Sequence, residues 1–343
     1  MKINKLTYVF YIVCLIMGVG AKAQAASIMH HDEESPHHSP SGKGWGQPNS
    51  SPRQSANFLH LPQYGINYNG GPVLGAGKSP APNIYYIWYG DWKYNSAGQS
   101  LLVNFAKNIG GTPYFNINTT YTDANGAPIN NAVNFAGETN IAYLDAGAKN
   151  HILSDADVLT VVNMAIASGA FGSSHADPNG IYFVLSSKDV KETSGFCKNY
   201  CGWHNSTTNG SKASPLTGVQ GAFVGDPTNC PLIAGKNPCE PQLVSPNNNP
   251  GPDAMASIIA HELAETITDP TMTAWYNDRD GSENGDRCAW TFGAYYPTPA
   301  DSGVWNGSYA NLAMGNPATH YLLQQIWVNA QAGLHNGYCA LAY

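Results

Sequence analysis

The stretch Asp253-Ala-Met-Ala-Ser-Ile-Ile-Ala-His261-Glu262-Leu-Ala-Glu265-Thr-Ile-Thr-Asp269-Pro270 constrains the fold more than any other part of the chain. Met255, Ile258, Ile259, Leu263 and Ile267 recur at three- and four-residue steps, the period of a helix with one face against a core. Asp253 reads as the N-cap, Pro252 marks the boundary, and Pro270 ends the helix. At roughly 100° per residue, His261 and Glu265 lie about 40° apart around the axis and one turn apart. Both side chains therefore reach one point, the geometry of a two-ligand metal clamp.

The pattern H-E-x-x-E is a relative of the zinc-protease H-E-x-x-H in which a carboxylate replaces the second imidazole, and zinc accepts both ligand types. Glu262 is turned about 100° from the ligand pair and is the candidate general base for a metal-held water. The plain alternative is a half-buried helix with a His-Glu pair one turn apart.

A third ligand is expected from the loop that follows. Its run from Trp275 to Trp290 carries Asp278, Asp280, Glu283 and Asp286 close to Cys288. Glu283 or Asp286 completes a set with His261 and Glu265 and leaves one position open, as catalytic zinc requires. Asp269 is a weaker third candidate, and a calcium-like acidic loop or a solvated turn is the competing account. A separate constellation, Cys197-x3-Cys201-Gly-Trp203-His204, has zinc-binding spacing if its thiols are free. Export favours a disulfide there, which leaves His204 as a hydrogen-bonded structural histidine or a group delivered to the cleft. No G-x-S-x-G elbow or P-loop is present.

Export itself is read from the N-terminus. Lys2 and Lys5 precede an apolar run from Leu6 to Val19, and Ala23-Gln24-Ala25 resembles a signal-peptidase site, so residues 1–25 are expected to be removed. Six cysteines then remain, Cys197, Cys201, Cys230, Cys239, Cys288 and Cys339, an even number that points to disulfides in a secreted or periplasmic protein. Loop length suggests Cys197 with Cys201, Cys230 with Cys239, and Cys288 with Cys339. Residues 26–62, rich in His, Ser and Pro and without apolar period, read as a disordered leader, and residues 63–343 as one domain. A net charge of -7 and a pI near 5.8 leave no basic patch for nucleic acid. After the N-terminal run no stretch is apolar enough to span a bilayer, so membrane insertion is not expected.

Strands are expected over Asn83–Tyr89, 180–185 and 218–224, and helices over 100–109, from Ser154 to near Gly169, and over the metal-site stretch. Residues 113–118 and 140–144 read as strand or loop. This order indicates an α/β or α+β sandwich: a twisted mixed sheet with packed helices, stabilised by disulfides and compatible with a zincin-like arrangement.

Gly71-Pro-Val-Leu74, Ile84-Tyr-Tyr-Ile-Trp-Tyr-Gly90, Val184-Leu-Ser-Ser-Lys-Asp-Val190, Phe196-Cys-Lys-Asn-Tyr-Cys-Gly-Trp-His204 and Thr268-Asp-Pro270 together resemble the EXORDIUM or phosphate-induced protein 1 family of secreted proteins. The resemblance covers most of the domain. Plant members are apoplastic proteins tied to growth and brassinosteroid responses, without an established biochemical activity. The present chain departs from them by its His-Glu pair and is more similar to microbial members, which carry H-E-x-x-E, T-D-P, a Trp-Tyr pair and a Glu-x-x-Asp-x-Cys segment. Two functions follow as expectations: a secreted zinc-dependent hydrolase, most simply a peptidase, acting on extracellular peptide; or a non-catalytic protein that binds cell-wall or host polymer around a structural metal.

Overall fold

The two runs densest in aromatic and branched side chains lie side by side at the centre of one sheet. Asn83–Tyr89 and Gly180–Ser186 pair in parallel, from Asn83 opposite Gly180 to Tyr89 opposite Ser186. Nearly every residue of both is buried, as expected for parallel strands covered on two faces. The computed structural model describes residues 43–45, 65–206, 218–233, 235–298, 307–330 and 337–343. These belong to one compact unit. The expected signal segment 1–25 lies outside the described residues, as does the expected leader 26–62 apart from 43–45.

In chain order the main elements are β1 (Lys43–Trp45), β2 (Asn83–Tyr89), α1 (Ser96–Asn108), β3 (Asn134–Ile141), α2 (Asp155–Ala167), β4 (Gly180–Ser186), β5 (Tyr200–Ser206), β6 (Gln220–Gly225) and α3 (Pro250–Thr268). The sheet order is β1-β5-β6-β4-β2-β3. Strands β6, β4, β2 and β3 are parallel, whereas β5 runs antiparallel to β6 and β1 antiparallel to β5. The fold is thus the expected mixed α/β arrangement, and β1 shows that part of the expected leader joins the sheet.

Helices cover both faces. A side chain at Gly202 on β5 would strike Ile258 and Glu262 of α3, whereas one at Gly221 on β6 would meet Leu159 and Val162 of α2. Gly202 pairs with Val224, and Gly221 lies three residues before Val224, on the opposite side of the pleat. Hence α3 and α2 pack on opposite faces, and α1 packs beside α3. His204, two residues after Gly202, faces α3.

Several boundaries differ from the sequence expectation. Helix α1 starts four residues early because the Asn95 side chain accepts from Gly98 N and caps it. Helix α2 begins as expected, with Ser154 and Asp157 forming a capping box. Helix α3 begins at Pro250, so Asp253 is not its N-cap; its carboxylate accepts instead from Asn247 N and Nδ2 within the first turn. Residues 115–120 form a 3₁₀ turn. Strand β3 was legible only at its end, since its polar Asn-Phe-Ala-Gly-Glu-Thr-Asn-Ile sequence lies at the sheet edge, where burial asks little of it.

The cysteine loop is a strand, and this changes the disulfides. Cys288–Cys339 forms as expected, but the other bridges are Cys197–Cys230 and Cys201–Cys239. A short loop does not join its two cysteines when one of them enters an extended strand. Cys197 sits in a turn whose N–H bonds Tyr200 O, while the β5 pleat turns Cys201 towards Pro238 and Cys239. Three disulfides suit an oxidising compartment, and no helix among the described residues is long and apolar enough to cross a membrane.

Closing loops of 33 and 38 residues, the two crossed bridges are each expected to contribute about 3–4 kcal/mol. Non-reducing peptide mapping should recover the 197–230 and 201–239 linkages, and Cys201→Ser with Cys239→Ser should lower the melting temperature markedly. Recovery of a Cys197–Cys201 peptide contradicts this arrangement.

Candidate metal centre

The apolar stripe of α3 predicts one buried face, yet every residue from Gly251 to Thr268 is buried. The helix is enclosed by α1, β5, β6 and the C-terminal segment around Thr319–Tyr321. Its polar side chains must therefore find partners inside the protein.

His261 and Glu265 meet as their spacing requires, with His261 Nε2 2.9 Å from Glu265 Oε1. Asp286 Oδ1 lies 3.6 Å from the same nitrogen, and the Asp286 N–H donates to Glu265 Oε1 at 3.0 Å. The other imidazole nitrogen, Nδ1, lies 2.6 Å from the Gln324 carboxamide nitrogen. That carboxamide nitrogen also donates to Gly285 O at 3.2 Å, so an ion at Nε2 requires the carboxamide to turn and accept from Nδ1–H through its oxygen.

His204 comes to the same cluster from β5. Its Nδ1 is 3.2 Å from Glu262 Oε2 and 3.5 Å from Glu265 Oε2, and its Nε2 is 3.5 Å from Glu283 Oε1. Thus Glu283 and Asp286, weighed as alternatives for one position, each face a different histidine. Asp269 is not brought into either group. Its Oδ1 accepts from Thr273 N and Ala274 N at 2.6 and 2.7 Å, which makes it the closing residue of the turn after α3.

These approaches leave many polar atoms without hydrogen bonds: both Nε2 atoms, Glu262 Oε1, Glu265 Oε2, Glu283 Oε1 and Asp286 Oδ1. For His261 the Glu265 oxygen is near enough to accept but lies off the N–H direction. Around an ion with bonds of about 2.1 Å, neighbouring ligands are separated by roughly 3.0 Å in an octahedron and 3.4 Å in a tetrahedron. The contacts of His261 Nε2 with Glu265 and Asp286, and of His204 Nε2 with Glu283, are 2.9 to 3.6 Å, close to those spacings. His204, Glu265 and Glu283 form one cluster of close ligand atoms, and His261, Glu265 and Asp286 form a second.

The electrostatics ask for positive charge. Burial pushes the Glu262 carboxyl up to about 7, partly offset by the His204 hydrogen bond, and pushes Asp286 up to about 6 with help from Glu265. Glu283 is raised further, chiefly by burial. Burial favours neutral imidazoles, but the surrounding carboxylates outweigh it and raise His204 and His261 well above the usual histidine range. Burial also opposes ionisation of Glu265, but His261 outweighs it and lowers its pKa. No lysine or arginine bonds any of these carboxylates among the described residues. The donor set, two imidazoles and several carboxylates around orphaned atoms, fits a divalent cation such as zinc.

Two glycines and one glutamine in the site escaped the sequence reading. A Cβ at Gly202 would lie 2.9 Å from Glu262 Oε1, and one at Gly285 would lie 2.8 Å from His261 Cγ and 2.9 Å from Glu265 Oε1. Gln324 sits 63 residues beyond His261, and its polarity within Leu322-Leu323-Gln324-Gln325-Ile326 was its one signal.

Comparison with known proteins adds the family. Residues 66–334 match the family described as phosphate-induced protein 1 conserved region. Protein EXORDIUM-like 5 of Arabidopsis thaliana is 31% identical over 261 residues, covering 70% of this chain and 67% of its own. Protein EXORDIUM-like 3 of the same plant is 27% identical over 289 residues, covering 76% and 80% respectively. No solved structure matches significantly.

Gly285 has an ordinary φ of -73°, so alanine there is allowed by the backbone and tests only the space beside the ligands. Gly285→Ala is expected to cost roughly 1–3 kcal/mol by overpacking. A thermal melt unchanged from wild type would show that the ligands are not crowded at this point.

Proposed function

The chain belongs to the phosphate-induced protein 1 family, and on the geometry of its buried site we propose that it is an exported metal-dependent hydrolase, most simply a zinc peptidase acting on extracellular peptide. The observation that carries this is the triad His261, Glu265 and Asp286, in which Nε2 and a carboxylate oxygen lack hydrogen bonds while the opposite nitrogen is held by Gln324. These three residues hold the ion. When bound, a divalent cation supplies Lewis acidity that polarises a carbonyl and activates water.

The chain's own residues supply the rest. Glu262 is the general base: it follows His261 directly, its Oε1 is unpartnered, and burial holds its carboxyl above the usual carboxylate range, which favours proton acceptance. His204, 3.2 Å from Glu262 Oε2, orients that carboxylate. Gly202 leaves space for Glu262 beside β5, and Gln324 fixes the ring of His261. Three protein ligands leave a position for water or substrate.

One observation favours a second function. His261 is 3% exposed and Glu265 1%, so substrate has little access to them in this conformation. A structural metal in a non-catalytic extracellular protein that binds cell-wall or host polymer accounts for such enclosure.

Glu262→Gln separates the two. A hydrolase keeps its metal and loses roughly 10²–10⁴-fold in chelator-sensitive turnover of a fluorogenic peptide library, whereas His261→Ala loses the metal. For a structural site, Glu262→Gln retains both metal and melting temperature, His261→Ala destabilises the fold, and the wild-type protein shows no chelator-sensitive hydrolysis.

A further inference from the structure

One ion at His261, Glu265 and Asp286 leaves half of the cluster unexplained. His204 is 1% exposed and Glu283 1%, and both belong to the interior. His204 Nε2 and Glu283 Oε1 face each other at 3.5 Å, and neither has a hydrogen-bond partner. At that separation they are too far apart for a good N–H···O bond and suitably placed for two ligands of one ion.

The two histidines are arranged alike. Each has its Nδ1 occupied by an outer polar group, Gln324 for His261 and Glu262 for His204, and each has its Nε2 open towards a carboxylate. An imidazole oriented through one nitrogen with the other free is the habit of metal-ligating histidine. Glu265 lies between them: Oε1 is 2.9 Å from His261 Nε2, while its carboxylate also falls within 4.8 Å of a His204 nitrogen and a Glu283 oxygen as one candidate ligand group.

We propose that this protein holds two divalent cations, one at His261, Glu265 and Asp286 and a second at His204, Glu265 and Glu283, with the Glu265 carboxylate shared between them. The inference rests on the metal-centre reading above and extends it. Glu262, Glu265, Glu283 and Asp286 bring four carboxylates together here, and among the described residues no lysine or arginine bonds them, so the cluster offers more carboxylate oxygens than one ion's three ligands use. Paired ions sharing a carboxylate also broaden the chemistry towards hydrolytic substrates whose attacking and leaving oxygens are both stabilised, including peptides and phosphate esters.

Metal counting on the full mature chain, saturated with zinc and then gel-filtered, tests the proposal. Wild type should retain two equivalents by elemental analysis. Glu283→Gln and His204→Gln should each retain one, Asp286→Asn one, and Glu265→Gln fewer than either single-site variant. Because a substitution in a buried site can unfold the chain, the wild-type protein loaded with manganese provides a second measurement: its electron paramagnetic resonance spectrum should show exchange-coupled rather than isolated ions. One equivalent at saturation with an uncoupled spectrum overturns the second site and leaves the single-ion centre standing. Two equivalents that persist in both Glu283→Gln and His204→Gln overturn its assignment to these residues. No retained metal overturns the inference and the centre together.

Discussion

Four carboxylates and two imidazoles converge in one cluster, with no lysine or arginine bonded to the carboxylates among the described residues, and the architecture around them depends on how that charge is settled. An isolated buried carboxylate costs several kcal/mol unless it is protonated, paired or bound to a cation. Glu265 obtains partial relief from His261 and from the Asp286 N–H. Glu262, Glu283 and Asp286 each keep an oxygen without a hydrogen bond. On the proposed reading, cations held between these oxygens and the imidazoles complete what protons and the two histidines settle only in part.

The scaffold brings these groups together from three places and braces each. Helix α3 contributes His261, Glu262 and Glu265 from its fully buried length. Strand β5 contributes His204 and is anchored beside its start by Cys197–Cys230 and Cys201–Cys239. The loop after α3 contributes Glu283 and Asp286 and is held by Cys288–Cys339, while Asn284 Nδ2 donates to Thr268 Oγ1 at the end of the helix. Every disulfide therefore braces a segment that carries or adjoins a candidate ligand. Gly202 and Gly285 permit the close approach that larger residues would block.

Helical period made α3 legible, and with it the meeting of His261 and Glu265, because i and i+4 side chains share a face whatever the tertiary context. The buried strands β2 and β4 were legible from their apolar runs for the same local reason. What escaped depended on long-range pairing. Residues 200–206 read as a cysteine loop, so His204 could not be assigned to the face opposite α3, and the crossed disulfides followed from that missing strand. The choice between Glu283 and Asp286 could not be resolved by spacing, since three residues on an irregular loop place two carboxylates on different histidines. Asp269, acidic and close in sequence, is taken up by backbone N–H groups of its own turn.

A crystal structure of the mature protein, with data collected on both sides of the zinc absorption edge, tests the central claim most directly. An anomalous difference peak enclosed by His261 Nε2, Glu265 and Asp286, with each ligand atom within about 2.0–2.2 Å of it, is the predicted result. A well-ordered cluster without an anomalous peak, in which the carboxylates are protonated and hydrogen-bonded to one another or to water, would contradict it.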